Sequence, residues 1–210
     1  MQVQTKIKIG FFVLILAMSI AAGFVQALRE RPRAPANFGQ LEGLKAISKD
    51  DPWDKKMRLM AEQEIIDSWR GFKVPLDFSD GSIQALESVL DRMTHSPQIQ
   101  STTEKDLRAE ALIAGAYVGE VIRRNHQGIW AIDSYKAAEL SFPINHGSGV
   151  EFPCTWCYKR LKNGPEDNIW DKYRIFVLGE TNVSGDYTII HETNTSGLTK
   201  TNVFSTNLNQ

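Results

Sequence analysis

The chain has 210 residues, enough for one domain or one domain with appendages. Its hydrophobic content of 42% and charged content of 23% are those of an ordinary globular protein. A formal net charge of −1 argues against nucleic acid as a partner, which would need a basic face. Two cysteines cannot build a disulfide framework, so they leave the redox compartment open.

From the N-terminus, no charged side chain occurs between Lys8 and Arg29. Twenty uncharged residues, 9–28, at about 1.5 Å per residue span roughly 30 Å, the thickness of a hydrocarbon core. Val25-Gln26-Ala27 fits a small-x-small cleavage pattern, but the run is long for a signal peptide and Arg29, Arg31 and Arg33 follow at once. We therefore read residues 1–28 as an uncleaved anchor whose partner is the lipid bilayer. The flanking charges nearly balance, with Lys6 and Lys8 on one side and three arginines on the other. The expected orientation puts the following domain outside the cytoplasm. Residues 29–50, bearing proline and arginine, read as a linker.

The first helix is expected from Asp51-Pro52, with Asp as cap and Pro at the first helical position. Trp53, Met57, Met60, Ile65 and Trp69 carry its apolar spacing, and Gly71 is its stop. Phe72, Val74, Leu76 and Phe78 alternate around Pro75, which suggests an extended connector or edge. Ser82 is a candidate cap for a helix striped by Ile83, Leu86, Val89, Leu90 and Met93. Thr103 and Asp106 stand at capping-box spacing before Glu104–Asn125. That segment holds Ala109, Ala111, Ala114, Gly115, Ala116 and Gly119. Two glycines inside a helix cost roughly 1 kcal/mol each against Ala, so close approach by a neighbour is their expected reason. Gln127-Gly128 ends it.

"IWAID" and "AELSFPI" then read as two strands of a hairpin. Pro153 at a first helical position and Asn163-Gly164 at a stop enclose a short helix that carries Cys154 and Cys157. A further helix is expected around Ile169, Trp170, Tyr173, Phe176 and Val177, although "YRIFVLG" alone suits a strand equally. From residue 179 the chain is rich in Thr, Asn, Ser and Gly. "YTIIHE" is expected to pair briefly, and residues 179–210 otherwise read as a polar, flexible tail. The fold class is α+β, a mostly helical domain over 51–178 with a short antiparallel hairpin, preceded by one transmembrane helix.

Cys154, Cys157, Tyr158 and Leu161 share one helical face, and a buried cysteine is a good small core residue. The same geometry serves a thiol–disulfide oxidoreductase, because a helix N-terminus lowers a thiol pKa. That alternative lacks the βαβ unit such enzymes build around the motif. A structural zinc wants four ligands, and only His146 lies nearby in sequence. Tyr117, Glu120 and Trp130 together with Lys159 and Arg160 form a candidate polar pocket with Glu120 as acid or base. Structural ion pairing, with Glu120 to Arg124 at i,i+4, is the preferred reading of those charges.

The run "ALIAGAYVGEVIRRNHQGIWAID", the later "FP" and "YKRLKNG" resemble an uncharacterised bacterial domain family. The matching positions are Gly119, Glu120, Gly128, Trp130, Pro153, Lys159, Arg160 and Gly164, within about residues 80–178. The resemblance implies no activity and does not include the cysteines. The expected function is thus a membrane-anchored, non-catalytic module that binds a protein partner, with no cofactor or metal.

Overall fold

A computed structural model describes residues 32–132, 140–147 and 149–180 and the strands Tyr187–Thr193 and Thr199–Ser205. The chain divides into Met1–Ala34 and Pro35–Gln210, and every element below belongs to the second unit. The expected anchor, residues 9–28, lies outside the described residues. Among those described, no helix is long and apolar enough to cross a membrane.

The domain is α+β and mostly helical. Helix α1 is Trp53–Asp67, α2 Gly81–Thr94, α3 Glu104–Asn125, α4 Pro153–Asn163 and α5 Ile169–Phe176. Strands β1 (Ile129–Trp130), β2 (Ile144–His146) and β3 (Gly149–Glu151) form one antiparallel sheet in that order. Strands β4 (Tyr187–Thr193) and β5 (Thr199–Ser205) pair with each other in a second antiparallel ladder, running from Tyr187↔Ser205 to Thr193↔Thr199. The brief pairing expected near Tyr187 is thus seven residues long, and its partner strand β5 lies in the segment read as a flexible tail; residues 181–186, 194–198 and 206–210 lie outside the described residues.

Helix α3 is central, packed against both α1 and α4. Its small residues allow this: a Cβ on Gly115 would collide with the Cys154 backbone, and one on Gly119 with the Trp130 ring. The expected stripe of α2 is buried at Ile83, Leu86, Val89 and Leu90, against α4 and α5. Each such side chain contributes roughly 1.5–3 kcal/mol on leaving water.

Several ends differ from expectation. Helix α1 starts one residue late, with Pro52 at its cap, because the Asp51 carboxylate is engaged by Ser48 N–H at 2.8 Å and Lys55 Nζ at 2.8 Å. It runs past the expected Gly71 stop through a π-type turn, Ser68–Phe72, and closes on left-handed Lys73. Asp80, not Ser82, occupies the cap position of α2, and Ser82 turns inward, donating to Ser79 C=O at 2.5 Å. The capping box is half made: Thr103 Oγ1 accepts from Asp106 N–H at 3.2 Å, while the Asp106 carboxylate takes the Thr103 hydroxyl at 2.7 Å.

Among the described residues, only Ile129–Trp130 of the expected strand "IWAID" is strand, and only Ile144 of "AELSFPI", from which β2 runs on to His146 instead. Leu140, at φ +82°, turns the chain, and Pro143 has no N–H to extend the ladder. The third strand, β3, was not expected. Residues 38–46, inside the segment read as a linker, form two 3-10 turns against α1, where Glu42 and Gly43 N–H donate to Glu62 and Leu44 N–H to Gln63.

Candidate functional site

The expected pocket residues fall into two groups. Tyr117 and Glu120 lie on the buried half of α3, and Trp130 reaches them from β1. Glu120 accepts Arg123 Nε and Nη2, each at 2.9 Å, and the indole N–H of Trp130 at 3.2 Å, and it pairs in charge with Arg124, whose Nε lies 3.4 Å away. Arg124 also covers the ring of Phe78, which stacks on Tyr117 with centroids 5.0 Å apart. The Tyr117 hydroxyl accepts Phe78 N–H at 2.9 Å and lies 2.6 Å from Ser82 Oγ. Burial pushes the Tyr117 phenol upward, with the Ser82 and Phe78 hydrogen bonds acting the other way.

This is a closed polar knot. The carboxylate is surrounded by three N–H donors and the Arg124 guanidinium, all supplied by α3 and β1 themselves. Its geometry locks β1 and the 73–80 connector onto α3. Phe78 is held at φ +63°, an unusual conformation for a bulky residue.

Lys159 and Arg160 do not join it. Lys159 is exposed. Arg160 is only 1% exposed and runs the other way, from α4 to α2. Its Nε donates to Glu87 at 2.6 Å and its Nη2 to Asp91 at 2.7 Å, while Nη1 is buried without a hydrogen-bond partner. The other Glu87 oxygen caps α5 by accepting Ile169 N–H at 2.9 Å. Burial raises the Glu87 pKa against the opposing pull of Arg160.

Cys154 and Cys157 are free thiols, fully buried in the main core with Ala111, Ala114 and Val118. Burial pushes both pKa values well up. The helix N-terminus that could have activated them is therefore overridden by loss of water.

Three further polar groups were not legible in the sequence. Asp80 Oδ1 accepts Tyr173 OH at 2.5 Å and Asn125 Nδ2 at 3.1 Å and lies 2.9 Å from His126 Nε2, tying together α2, α3 and α5. Burial raises its pKa, but the hydrogen bonds from Tyr173, His126 and Asn125 outweigh it and hold the carboxyl low. Among the described residues no hydroxyl or thiol nucleophile hydrogen-bonds to His126. Glu64 is buried in α1, bonded by Ser68 Oγ at 2.8 Å, and burial raises its pKa to about 7. His146 and Glu151 face each other at 3.8 Å across β2 and β3, too far for a hydrogen bond. No group of three or more potential metal ligands occurs among the described residues.

The solvent face of the small sheet has a different character. Ile129, Asn145 and Val150 stand side by side across its three strands. Ile129 is 69% exposed and Val150 37%. A second exposed apolar contact joins Trp53, 41% exposed, to Phe142 just before β2, with centroids 5.0 Å apart. Comparison with protein-family models, curated proteins and solved structures returned no match to this chain.

Proposed function

We propose that this protein is a membrane-tethered binding module that works by surface contact and performs no chemistry. The tether is residues 9–28, long and apolar enough to span a bilayer. The observation that carries the binding role is the exposed sheet face, where Ile129 and Val150 flank Asn145 in register. Aliphatic side chains left in water on a small twisted sheet fit a surface that another protein covers. Tyr117, Glu120 and Asp80 are instead engaged by structural partners. The thiol–disulfide alternative finds no support in the geometry, because both sulfurs are buried and their thiolates disfavoured.

Photo-crosslinking from position 129 in intact membranes tests the reading. A protein partner captured from residue 129 and lost in Val150→Asp, but retained in Arg58→Asp on the exposed side of α1, supports it. Capture indifferent to both changes would remove the sheet face from consideration.

A further inference from the structure

The end of α1 holds a second surface, distinct from the sheet face. Where α1 passes into its π-type turn, Trp69 and Phe72 are part-exposed and Arg70 and Lys73 exposed. Lys73 Nζ lies 5.5 Å from the Trp69 ring centroid, and the Arg92 guanidinium lies 4.9 Å from that of Phe72. Arg92 also donates to Phe72 C=O at 3.3 Å, bringing a third exposed cation to the turn from α2. Asp67 is the exposed carboxylate nearest in the chain, and Gln63 Nε2 occupies both of its oxygens. The Phe38 ring meets Trp69 edge-on at 6.4 Å.

Phe38 is also where the chain arrives from the N-terminal apolar segment. Nine residues, 29–37, lie between Leu28 and Phe38, a reach of at most about 35 Å. Arg29, Arg31 and Arg33 lie within that stretch. Aromatic rings beside lysine and arginine are the side chains that settle at a membrane interface: the rings lie at headgroup depth, and the cations meet anionic headgroups.

We propose that the turn formed by Trp69, Arg70, Phe72 and Lys73, with Phe38 and Arg92, rests on the anionic phospholipid surface of the bilayer that residues 9–28 enter. The proposal rests on the anchor reading above and adds an orientation to it. The Trp69 end of α1 faces lipid, and Trp53, about 24 Å away along the helix axis, points away. Each cation beside an anionic surface strengthens attachment about fivefold. The domain is therefore held against the membrane and does not swing freely on its tether.

The test uses the full chain reconstituted in vesicles of phosphatidylcholine with or without phosphatidylglycerol. A fluorophore is attached at Gly71→Cys, where a new Cβ meets nothing within 4 Å, or at Asp54→Cys near the opposite end of α1. The native thiols are buried and stay unlabelled. Headgroup-attached nitroxide lipid is expected to quench the label at 71 several-fold more than the label at 54 when phosphatidylglycerol is present. Arg70→Glu with Lys73→Glu is expected to abolish that difference. Vesicle-bound protein with equal quenching at both positions would overturn the proposal and leave the anchor standing. Unequal quenching that survives the double change, or that needs no phosphatidylglycerol, would overturn the electrostatic contact. Protein recovered free of vesicles would overturn the anchor, and the proposal with it.

Discussion

The backbone of Cys154 occupies the place where a side chain at Gly115 would begin. Helices α3 and α4 touch there main chain to main chain, which requires glycine on one side. Four helical residues further along, the Trp130 indole fills the corresponding space over Gly119. The two glycines thus admit different objects, one backbone and one side chain.

Gly115→Ala is accordingly expected to cost more than Gly119→Ala. At 115 the obstacle cannot rotate away, so the helices must separate, with a loss at or above the usual overpacking range of about 1–3 kcal/mol. At 119 the indole can turn, but doing so breaks its bond to Glu120, so a smaller loss comes with a changed tryptophan emission. Urea midpoints of both variants measure this. Equal and negligible effects would mean that α3 does not carry the contact.

Arg160 joins α4 to α2 through Glu87 and Asp91 from a nearly waterless position. Arg160→Ala leaves Glu87 with only the Ile169 N–H, so about 3–5 kcal/mol is expected to be lost. Arg160→Met combined with Glu87→Gln removes both charges and keeps an acceptor for Ile169. That pair is expected to recover most of the loss in chemical denaturation. Similar losses in the single and double variants would mean that packing, not charge, holds the junction.

Glu64 makes stability depend on pH in a defined direction. Burial raises its pKa from 4.5 to about 7 in the folded state, with Asp67 and Glu110 adding to the rise and Ser68 opposing it. Between those values the folded chain holds a proton that the unfolded chain has released. Its contribution is therefore full below pH 4.5 and is lost as pH rises to 7, by up to roughly 3 kcal/mol. Glu87 and Glu151, also raised by burial, act in the same direction. Glu64→Gln is expected to match the parent near pH 5 and exceed it in stability near pH 8. Parallel pH profiles of melting temperature would contradict this.

How much of this was readable in advance depends on range along the chain. The bounds of α3 and α4 and the Glu120 pairing with Arg124 rest on local spacing and stand as the sequence suggested, while Arg123, the nearer partner of Glu120, was not expected. The small residues of α3 signalled close approach, but not by which element. Arg160 was grouped with Glu120 because a helix stripe cannot show that Glu87, 73 positions earlier, would cover it. Asp80 was invisible for the same reason, since its partners Asn125, His126 and Tyr173 come from two later helices. Strand β3, Gly149–Glu151, has only three residues, too few to carry a periodic signal.

The cysteine pair gives the sharpest separation between a binding module and a thiol enzyme. Both sulfurs lie in the core, and Cys154 Sγ faces Leu112 C=O at 3.9 Å. With burial raising both pKa values, neither thiol is expected to react with a disulfide reagent in native protein at pH 7–8, and both should react once urea unfolds it. Exchange of each for Ala removes one packed atom, at an expected cost of about 1–2 kcal/mol. Partner capture at residue 129 is expected to remain intact as long as the domain is folded. One thiol that titrates below the free-cysteine value of about 8.5 in the native state would reverse the assignment. Such a thiolate needs water or a cation at the sulfur, and the helix N-terminus at Pro153 is packed under α3 instead.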